Sequence, residues 1–248
     1  MRAMSVSNAK KLRGLKNIDW LTTRQLNNLA KALAMSRVVK GATIFDDKSP
    51  ADAAYILLSG VARITCCNRK GDRTVVIMVA PGMIPQIPPP TSGIRYEFRC
   101  EAVTECQIGT ATLSVIIDIV LGIASADFKR MAASYCGRWD MVQLRCSNFM
   151  GCTLEERVAL ILLELSENFG VSDPGGVRLT LRARHKDLAE LVGASRPRVT
   201  EYLADFEDKH FITREGRQLI VRQDLLEDFL ARKLSTGSRG HGELSLAL

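Results

Sequence analysis

The stretch HKDLAELVGASRPRVTEY, residues 185–202, determines how the rest of the chain is interpreted. Apolar and small residues recur at intervals of three or four on both sides of Gly193, which is the pattern of two helices joined by a tight turn. Glycine suits such a turn because it adopts positive φ angles readily. Ala189 is small enough for the second helix to cross above it. The side chains expected to close a small core between the helices are Leu188, Val192, Val199 and Tyr202.

The second helix is expected to present a polar face to solvent. Ser195 is predicted to cap it, and Pro197 falls in its first turn, where a missing N–H costs little. The exposed side chains suit base edges and phosphates in a DNA major groove, and those at helix starts suit phosphates. Two ordinary amphipathic helices would explain the apolar positions but not a turn glycine flanked by arginines. The predicted DNA-binding residues are Arg184, His185, Ser195, Arg196, Arg198, Thr200 and Glu201.

Composition indicates an ordinary globular protein with room for two domains. The chain has 248 residues, of which 46% are hydrophobic and 25% charged. Its 34 Lys plus Arg against 27 Asp plus Glu give a net charge of +7, which favours a polyanionic partner without identifying one. Seven cysteines without a C-x-x-C pair indicate neither a disulfide framework nor a zinc site.

The sequence predicts neither a signal peptide nor a membrane span. No basic start followed by a long apolar core occurs at the N-terminus. The most apolar window, residues 113–126, contains Asp118 and is too short to cross a bilayer. We therefore expect a cytoplasmic protein.

The N-terminal half predicts a helical lead-in followed by a small antiparallel β-roll. Residues 1–35 have helical spacing, with Thr22 or Thr23 as a cap. From Arg37 onward short β-branched runs alternate with Gly-, Asp- and Asn-containing turns, which favours a jelly-roll-like barrel over an α/β sheet. The proline-rich segment 81–90 cannot continue a strand and is predicted to be a loop.

A long dimerisation helix and a C-terminal winged helix-turn-helix follow in the prediction, making the fold class α+β. The apolar seam of that helix consists of Phe128, Met131, Tyr135, Trp139, Val142, Cys146 and Phe149. A helix at 154–169, a loop at 172–176, the strand VRLTL, the two helices of the motif and a hairpin wing at 211–221 complete the prediction. The expected domains are 1–120, 121–152 and 153–232, with a disordered tail at 233–248.

This order of elements resembles the CRP/FNR family of bacterial transcription regulators. The motifs that carry the resemblance are YILLSGVARI (55–64) with VAPGM (79–83), and ERVALILLEL (156–165) with the segment 185–221. The resemblance implies a homodimer that binds a two-fold-related DNA site and contacts RNA polymerase. It also implies that an effector or a redox state in the roll sets DNA affinity.

The effector pocket departs from the cyclic-AMP-binding members. Their Gly-Glu-Leu, whose glutamate holds the ribose, corresponds here to Pro85, Gln86 and Ile87. Their Arg-Ser pair for the cyclic phosphate corresponds to Tyr96 and Glu97, with Arg95 one residue out of register, and their adenine-reading Thr-Ser pair corresponds to Val142 and Gln143. An acid near the phosphate would repel it. Cyclic AMP is therefore not the expected effector, and the pocket candidates are Gln86, Ile87, Arg95, Tyr96, Val142 and Gln143.

This sequence also contains few residues that could ligate the other cofactors of the family. The iron–sulfur members carry an N-terminal cysteine cluster, whereas the first cysteine here is Cys66. The three histidines, at 185, 210 and 241, leave the roll without a histidine for haem. A haem ligated by cysteine is not excluded by the sequence. The sequence also does not identify an effector. No metal site is predicted.

Three functions are alternatives to a regulator that is controlled by a bound effector. A cupin-like metalloenzyme needs a cluster of histidine and carboxylate ligands in the barrel, and no histidine precedes His185. The sequence therefore predicts no enzyme. A redox-sensing regulator would use Cys66, Cys67, Cys100 or Cys106, provided that the thiol is exposed and its pKa is low. A ligand-independent regulator would have a closed pocket, which the prolines around Gln86 would suit.

The first turns of the recognition helix predict a changed DNA preference. Family members that recognise a TGTGA-like half-site place Arg, Glu and Arg where this chain has Arg196, Pro197 and Glu201. Arg196 can keep the guanine contact, whereas Pro197 has no side-chain donor or acceptor. Glu201 is expected either to accept from cytosine or to pair with Arg198.

Overall fold

A computed structural model of the chain describes residues 9–15, 18, 21–46, 48–49, 52–67, 73–82, 98–122 and 143–237. The chain divides into two compact units, Met1–Cys146 and Ser147–Leu248. Both combine helices with antiparallel strands, which confirms the α+β fold class. Within the described residues, no helix is both long and apolar enough to cross a membrane.

The first described elements of this unit are helical residues 9–13 and helix α1 (Thr23–Ala32). Thr22 caps α1: its Oγ1 accepts from the Gln25 N–H at 3.3 Å, while Gln25 Oε1 accepts from the Thr22 N–H at 2.8 Å. This reciprocal pair satisfies two backbone donors at the helix start. Of the two candidate caps, the structure therefore selects Thr22.

Seven strands in the described part of the first unit form two antiparallel sheets, and helix α2 (Leu113–Leu121) follows them. The sheet orders are β1-β7-β3 and β2-β6-β4-β5 within the described strands. This confirms the predicted roll. The strands are β1 (Ala34–Val38), β2 (Thr43–Phe45), β3 (Ala53–Ser59), β4 (Ala62–Cys67), β5 (Arg73–Val79), β6 (Arg99–Ala102) and β7 (Cys106–Thr112).

Strand β3 separates two cores because successive side chains of a strand point to opposite faces. Ala54, Ile56 and Leu58 belong to an apolar cluster that also contains residues of α1 and α2. Leu57 belongs to a second cluster, inside the roll, together with Phe45 and others. The helical lead-in is thereby attached to one face of the β1-β7-β3 sheet.

The second unit begins with helical residues to position 151, and its last described element is a long helix. Its sheet order is β10-β11-β9-β8. The elements are α3 (Leu154–Phe169), β8 (Gly170–Asp173), β9 (Gly176–Leu179), α4 (His185–Leu191), α5 (Arg196–Asp208), β10 (Ile212–Glu215), β11 (Gln218–Val221) and α6 (Gln223–Gly237).

Helix α3 has the predicted bounds, and Thr153 explains its start. The Thr153 hydroxyl accepts from the Glu156 N–H at 3.3 Å, and Glu156 Oε2 accepts from the Thr153 N–H. The helix buries Val158, Leu162 and Leu165 among other apolar residues. The apolar face of α3 is thereby the surface against which helices α4 and α5 pack.

Two segments of the second unit differ from the prediction. Ser172 and Asp173, predicted in a loop, pair with Val177 and Gly176 as the end of a β-hairpin. Helix α6 continues to Gly237, past residue 232, where the sequence analysis placed the start of the tail. Lys233 explains the extension: its Nζ lies 3.1 Å from Glu155 and 5.5 Å from the centre of the Phe229 ring.

Candidate DNA-binding interface

Helices α4 and α5 form the predicted helix-turn-helix, with Gly193 in the turn. Its φ of +63° is in the left-handed region that favours glycine, which confirms the prediction for this position. The Gly193 N–H donates to the Glu190 carbonyl at 3.2 Å, and the Ala194 N–H donates to the Ala189 carbonyl at 2.9 Å. These bonds close the last turn of α4 and fix where α5 begins.

The core beneath the motif differs from the prediction at one position. Leu188, Val192 and Val199 are buried as predicted. Tyr202 is only half-buried, and its neighbour Leu203 is fully buried instead. Val199 and Leu203 are four residues apart and therefore share one face of α5, whereas Tyr202 lies at its edge.

The start of α5 also differs from the prediction. Ser195 occupies the N-cap position, but its side chain makes no capping hydrogen bond. Pro197 lies in the first turn, as predicted. The Ser195 side chain is exposed and is not engaged by the helix backbone, so it can contact a phosphate.

The polar face of α5 is exposed, but the side chain of Thr200 on this face is already hydrogen-bonded within the protein. Arg196, Arg198 and Glu201 are exposed to solvent. The Thr200 hydroxyl instead donates to the Arg196 carbonyl at 2.9 Å and lies 2.8 Å from His185 Nδ1. No ion pair joins Arg198 and Glu201 in the described part of the chain, so the exposed Glu201 carboxylate is not engaged by Arg198.

Arg184 precedes α4 as its N-cap residue and is bound to an acid within the same turn. Its Nε donates to Asp187 Oδ2 at 2.8 Å. Asp187 is only 3% exposed, whereas Arg184 remains exposed. Sequence reasoning missed Asp187. Its pairing with Arg184 means that Arg184 supports the fold as well as presenting a charge to solvent.

The hairpin β10–β11 forms the predicted wing and adds basic residues that sequence reasoning missed. Arg214 Nε donates to Glu207 Oε2 at 2.9 Å, and Arg214 Nη1 lies 3.2 Å from His185 Nε2. Arg217 lies exposed at the tip of the hairpin, next to Gly216. The wing is therefore linked to both helices of the motif through Arg214.

Exposed guanidinium and ammonium groups are concentrated between residues 182 and 217, on the motif and the wing. Such a set can contact phosphates, and the arginines of α5 can also reach guanine edges. The exposed basic residues in this range are Arg182, Arg184, Lys186, Arg196, Arg198, Lys209, Arg214 and Arg217.

The protonation of His185 is shifted by its surroundings. Burial lowers the pKa of the His185 imidazole below its ordinary value, and the nearby charges of Arg214 and Arg196 lower it further. The neutral form therefore predominates to a lower pH than in a free histidine.

Most of the predicted effector and dimer residues lie outside the described residues. These are Gln86, Ile87, Arg95, Tyr96, Phe128, Met131, Tyr135, Trp139 and Val142. Among the described ones, Gln143 and Cys146 are exposed on the helical segment 143–151. Phe149 is 44% exposed, and its ring contacts Gly193 in the turn of the motif.

The cysteines of the roll fall into two groups. Cys100 and Cys106 are buried, and burial raises the pKa of Cys100 to about 12 and also raises the pKa of Cys106. Cys66 is half-buried and Cys67 is exposed. Since the thiolate is the reactive form, Cys100 and Cys106 lack the chemistry of a redox sensor. In the described part of the chain, no group of three His, Cys, Asp or Glu side chains is arranged to hold a metal.

Comparison with known proteins places the site in a family. Residues 156–229 match the Crp-like helix-turn-helix domain. The global nitrogen regulator of Synechococcus elongatus is 21% identical over 203 residues, covering 80% of this chain and 90% of that protein. The CRP-like cAMP-activated global transcriptional regulator of Mycobacterium tuberculosis is 24% identical over 194 residues, covering 78% and 86%.

A solved structure has the same fold. The structure of FixK2 from Bradyrhizobium japonicum superposes with a TM-score of 0.66 at 20% identity and covers 79% of this chain and 96% of that one. The chain thus contains a Crp-like helix-turn-helix domain and is similar, over most of its length, to transcription regulators of the CRP/FNR family.

Proposed function

We propose that this chain acts in the cytoplasm as a homodimer that binds a two-fold-related site on double-stranded DNA and there contacts RNA polymerase. One α5 would enter the major groove of each half-site. The observation that carries the proposal is the division of α5 into two faces. Val199, Leu203 and Phe206 are buried, whereas Arg196 and Arg198 are exposed at the helix start.

The neighbouring charges support the same assignment. Arg182, Lys186 and Arg217 are exposed beside the motif and on the wing. Cationic side chains in such positions fix a protein on the phosphate backbone, whereas contacts to base edges select the sequence. We assign the base contacts to Arg196 and Glu201. Phosphate contacts are assigned to Arg184, His185, Ser195 and Arg198.

The dimer proposal rests on the apolar seam of residues 128–149 and on the symmetry of family DNA sites. Apolar side chains of the described segment 143–151 are also exposed: Leu144 is 47% and Met150 85% exposed. Sedimentation of a Met131→Glu/Val142→Glu variant is expected to give monomers with weakened DNA binding. An unchanged dimer would place the interface elsewhere.

We further propose that cyclic AMP is not the effector. The Mycobacterium tuberculosis relative is described as cAMP-activated. In this chain Gln86, Glu97 and Val142 stand where the nucleotide's partners are expected, and none of them supplies the ribose carboxylate or the phosphate cation. Calorimetry is expected to show no micromolar binding, and a micromolar isotherm with tighter DNA binding would contradict the proposal.

Selection of binding sequences from random duplex DNA tests the main proposal. The expected result is an inverted repeat, since a two-fold dimer reads the same half-site twice. Arg24→Ala is a matched control because Arg24 is an exposed arginine of the other unit, in α1. It is expected to leave the selected sequence unchanged. Recovery of random sequence alone would overturn the assignment.

A further inference from the structure

His185 connects three elements of the interface. Its Nδ1 lies 2.8 Å from Thr200 Oγ1 on α5, and its Nε2 lies 3.2 Å from Arg214 Nη1 on the wing. His185 is itself the first residue of α4. The half-buried imidazole is thus held from both sides, and each contact restricts where its proton can be.

The Thr200 contact requires a proton on Nδ1. A threonine hydroxyl has one hydrogen, and Thr200 donates it to the Arg196 carbonyl at 2.9 Å. The hydroxyl oxygen must therefore accept at the 2.8 Å contact with His185, and Nδ1 must donate.

The Arg214 contact requires that Nε2 carry no proton. A guanidinium has donors and no acceptor, so Nε2 must accept from Arg214 at 3.2 Å. The two contacts independently select one form, the neutral imidazole with its proton on Nδ1. Both the other neutral tautomer and the imidazolium would place an N–H against the N–H of Arg214.

The charges around His185 favour the same form. Arg214 approaches from the wing and Arg196 from α5, and both lower the pKa of the imidazole in addition to its burial. Behind Arg214, Glu207 at the end of α5 lies 2.9 Å from the guanidinium. On α4 itself, Arg184 is paired with Asp187, and Lys186 lies 3.9 Å from Glu190.

We propose that His185 is a positioning residue which, as the neutral imidazole, holds Thr200 and Arg214 away from DNA, and that proton uptake at Nε2 releases Arg214 and tightens DNA binding. This inference rests on the proposed DNA-binding function. Its physical basis is that the phosphates of bound DNA favour cations in the interface, at His185 as well as at Arg214. A protonated Nε2 can no longer accept from Arg214, so the guanidinium becomes available to a phosphate.

The tautomer is tested without DNA. Nitrogen NMR of the full chain labelled with ¹⁵N-histidine is expected to show one histidine protonated on Nδ1 at neutral to alkaline pH, and His185→Gln removes that signal. A proton on Nε2 in the neutral form would overturn the inference. Because no DNA is present, this outcome is distinguishable from a failure of the proposed function.

The coupling is tested by measuring affinity for a duplex of mixed sequence as a function of pH at constant salt. Uptake of one proton tightens binding by at most about tenfold per pH unit as the pH falls through the His185 titration. His185→Gln retains an acceptor for Arg214, and His185→Asn retains a donor for Thr200, but neither titrates. Both are expected to abolish this pH dependence, and its persistence in either variant would contradict the proposal.

A second histidine provides the control. His210 has a φ of +57°, and asparagine tolerates that conformation better than most residues. His210→Asn therefore removes the second described imidazole at limited conformational cost. The pH dependence of DNA affinity is expected to remain in this variant, and its loss would assign the coupled proton to His210 instead of His185.

Discussion

The aromatic ring of Phe149 lies so close to Gly193 that a Cβ atom at position 193 would come within 2.5 Å of Phe149 Cε1. The Arg157 guanidinium lies 5.2 Å from the centre of the same ring, and its Nη1 donates to the Phe149 carbonyl at 3.2 Å. Gly193 therefore satisfies two requirements, a positive φ and the absence of a side chain. Through this contact the turn between α4 and α5 is packed against the helical residues that precede α3.

Gly193→Ala is expected to destabilise the protein by more than its backbone conformation alone explains. An alanine with positive φ costs about 1–2 kcal/mol, and the clash with Phe149 adds to this cost. The free energy of unfolding in urea is the measurement. DNA affinity should fall as well, because displacement of the turn changes the position of α5.

Gly216→Ala separates the cost of the positive φ from the cost of the clash with Phe149. Gly216 has a φ of +61°, almost the same as Gly193, but a Cβ atom at position 216 would meet no atom of the described residues within 4 Å. We therefore expect Gly216→Ala to lower the free energy of unfolding only by the cost of placing an alanine at a positive φ. When Phe149 is replaced by alanine, Gly193→Ala should lower the free energy of unfolding by the same amount as Gly216→Ala. If the two substitutions already have equal effects in the wild-type protein, the contact with the Phe149 ring is unimportant.

The position of the motif could be predicted from sequence because its signals are local. The turn glycine, Val199 and the bounds of α3 all follow from helical spacing and capping residues within a few positions. Spacing could not decide between Tyr202 and Leu203, since adjacent residues differ by about 100° around the helix and both lie near its apolar face.

The contacts that connect the motif to its surroundings could not be predicted. His185 and Arg214 are 29 residues apart, and no periodicity relates them. Phe149 was assigned to a dimer seam from its spacing alone, which does not reveal a contact with Gly193 across the same unit. Such pairs depend on how the elements pack, and only the folded chain brings them together.

The thiols of the roll are expected to react unequally with an alkylating agent in the native protein. Cys67 is exposed and should be modified quickly, whereas Cys100 and Cys106 should react only after unfolding, because burial hinders access and raises their pKa values. Peptide mass spectrometry after timed alkylation measures this difference. Rapid modification of Cys100 in the folded protein would restore Cys100 as a candidate redox-sensing thiol.

Arg184→Ala is expected to reduce both stability and DNA affinity. The substitution leaves the buried Asp187 without the guanidinium that lies 2.8 Å away, which we expect to cost about 1–2 kcal/mol after allowance for the exposure of Arg184. Urea unfolding measures the first effect, and the salt dependence of DNA affinity measures the second. The salt slope should decrease if Arg184 contacts a phosphate.

Lys186→Ala is the matched control for Arg184→Ala. Lys186 also carries one positive charge on α4, but its contact with Glu190 is long, at 3.9 Å, and its side chain is 76% exposed. We expect this variant to keep its stability and to change only DNA affinity. Equal losses of stability in the two variants would show that the Arg184–Asp187 pair does not support the fold.

Arg196→Ala is expected to remove the preference for one guanine in each half-site. Arg196 is exposed at the first position of α5, where a guanidinium can donate to both O6 and N7 of guanine, a contact worth about 1–3 kcal/mol of discrimination. Pro197 cannot contact cytosine through its side chain, so the half-site should depart from TGTGA at that position. Selection from random duplex DNA with the two proteins measures both effects.

Thr200→Ala provides the contrast on the same helix. The Thr200 hydroxyl is already bonded to the Arg196 carbonyl and to His185, so its loss should change affinity without changing which bases are selected. Arg196→Ala should instead relax one position and leave the others intact. If the wild-type protein selects unmodified TGTGA half-sites and Arg196→Ala preserves them, the bases are read by other side chains than those at the start of α5.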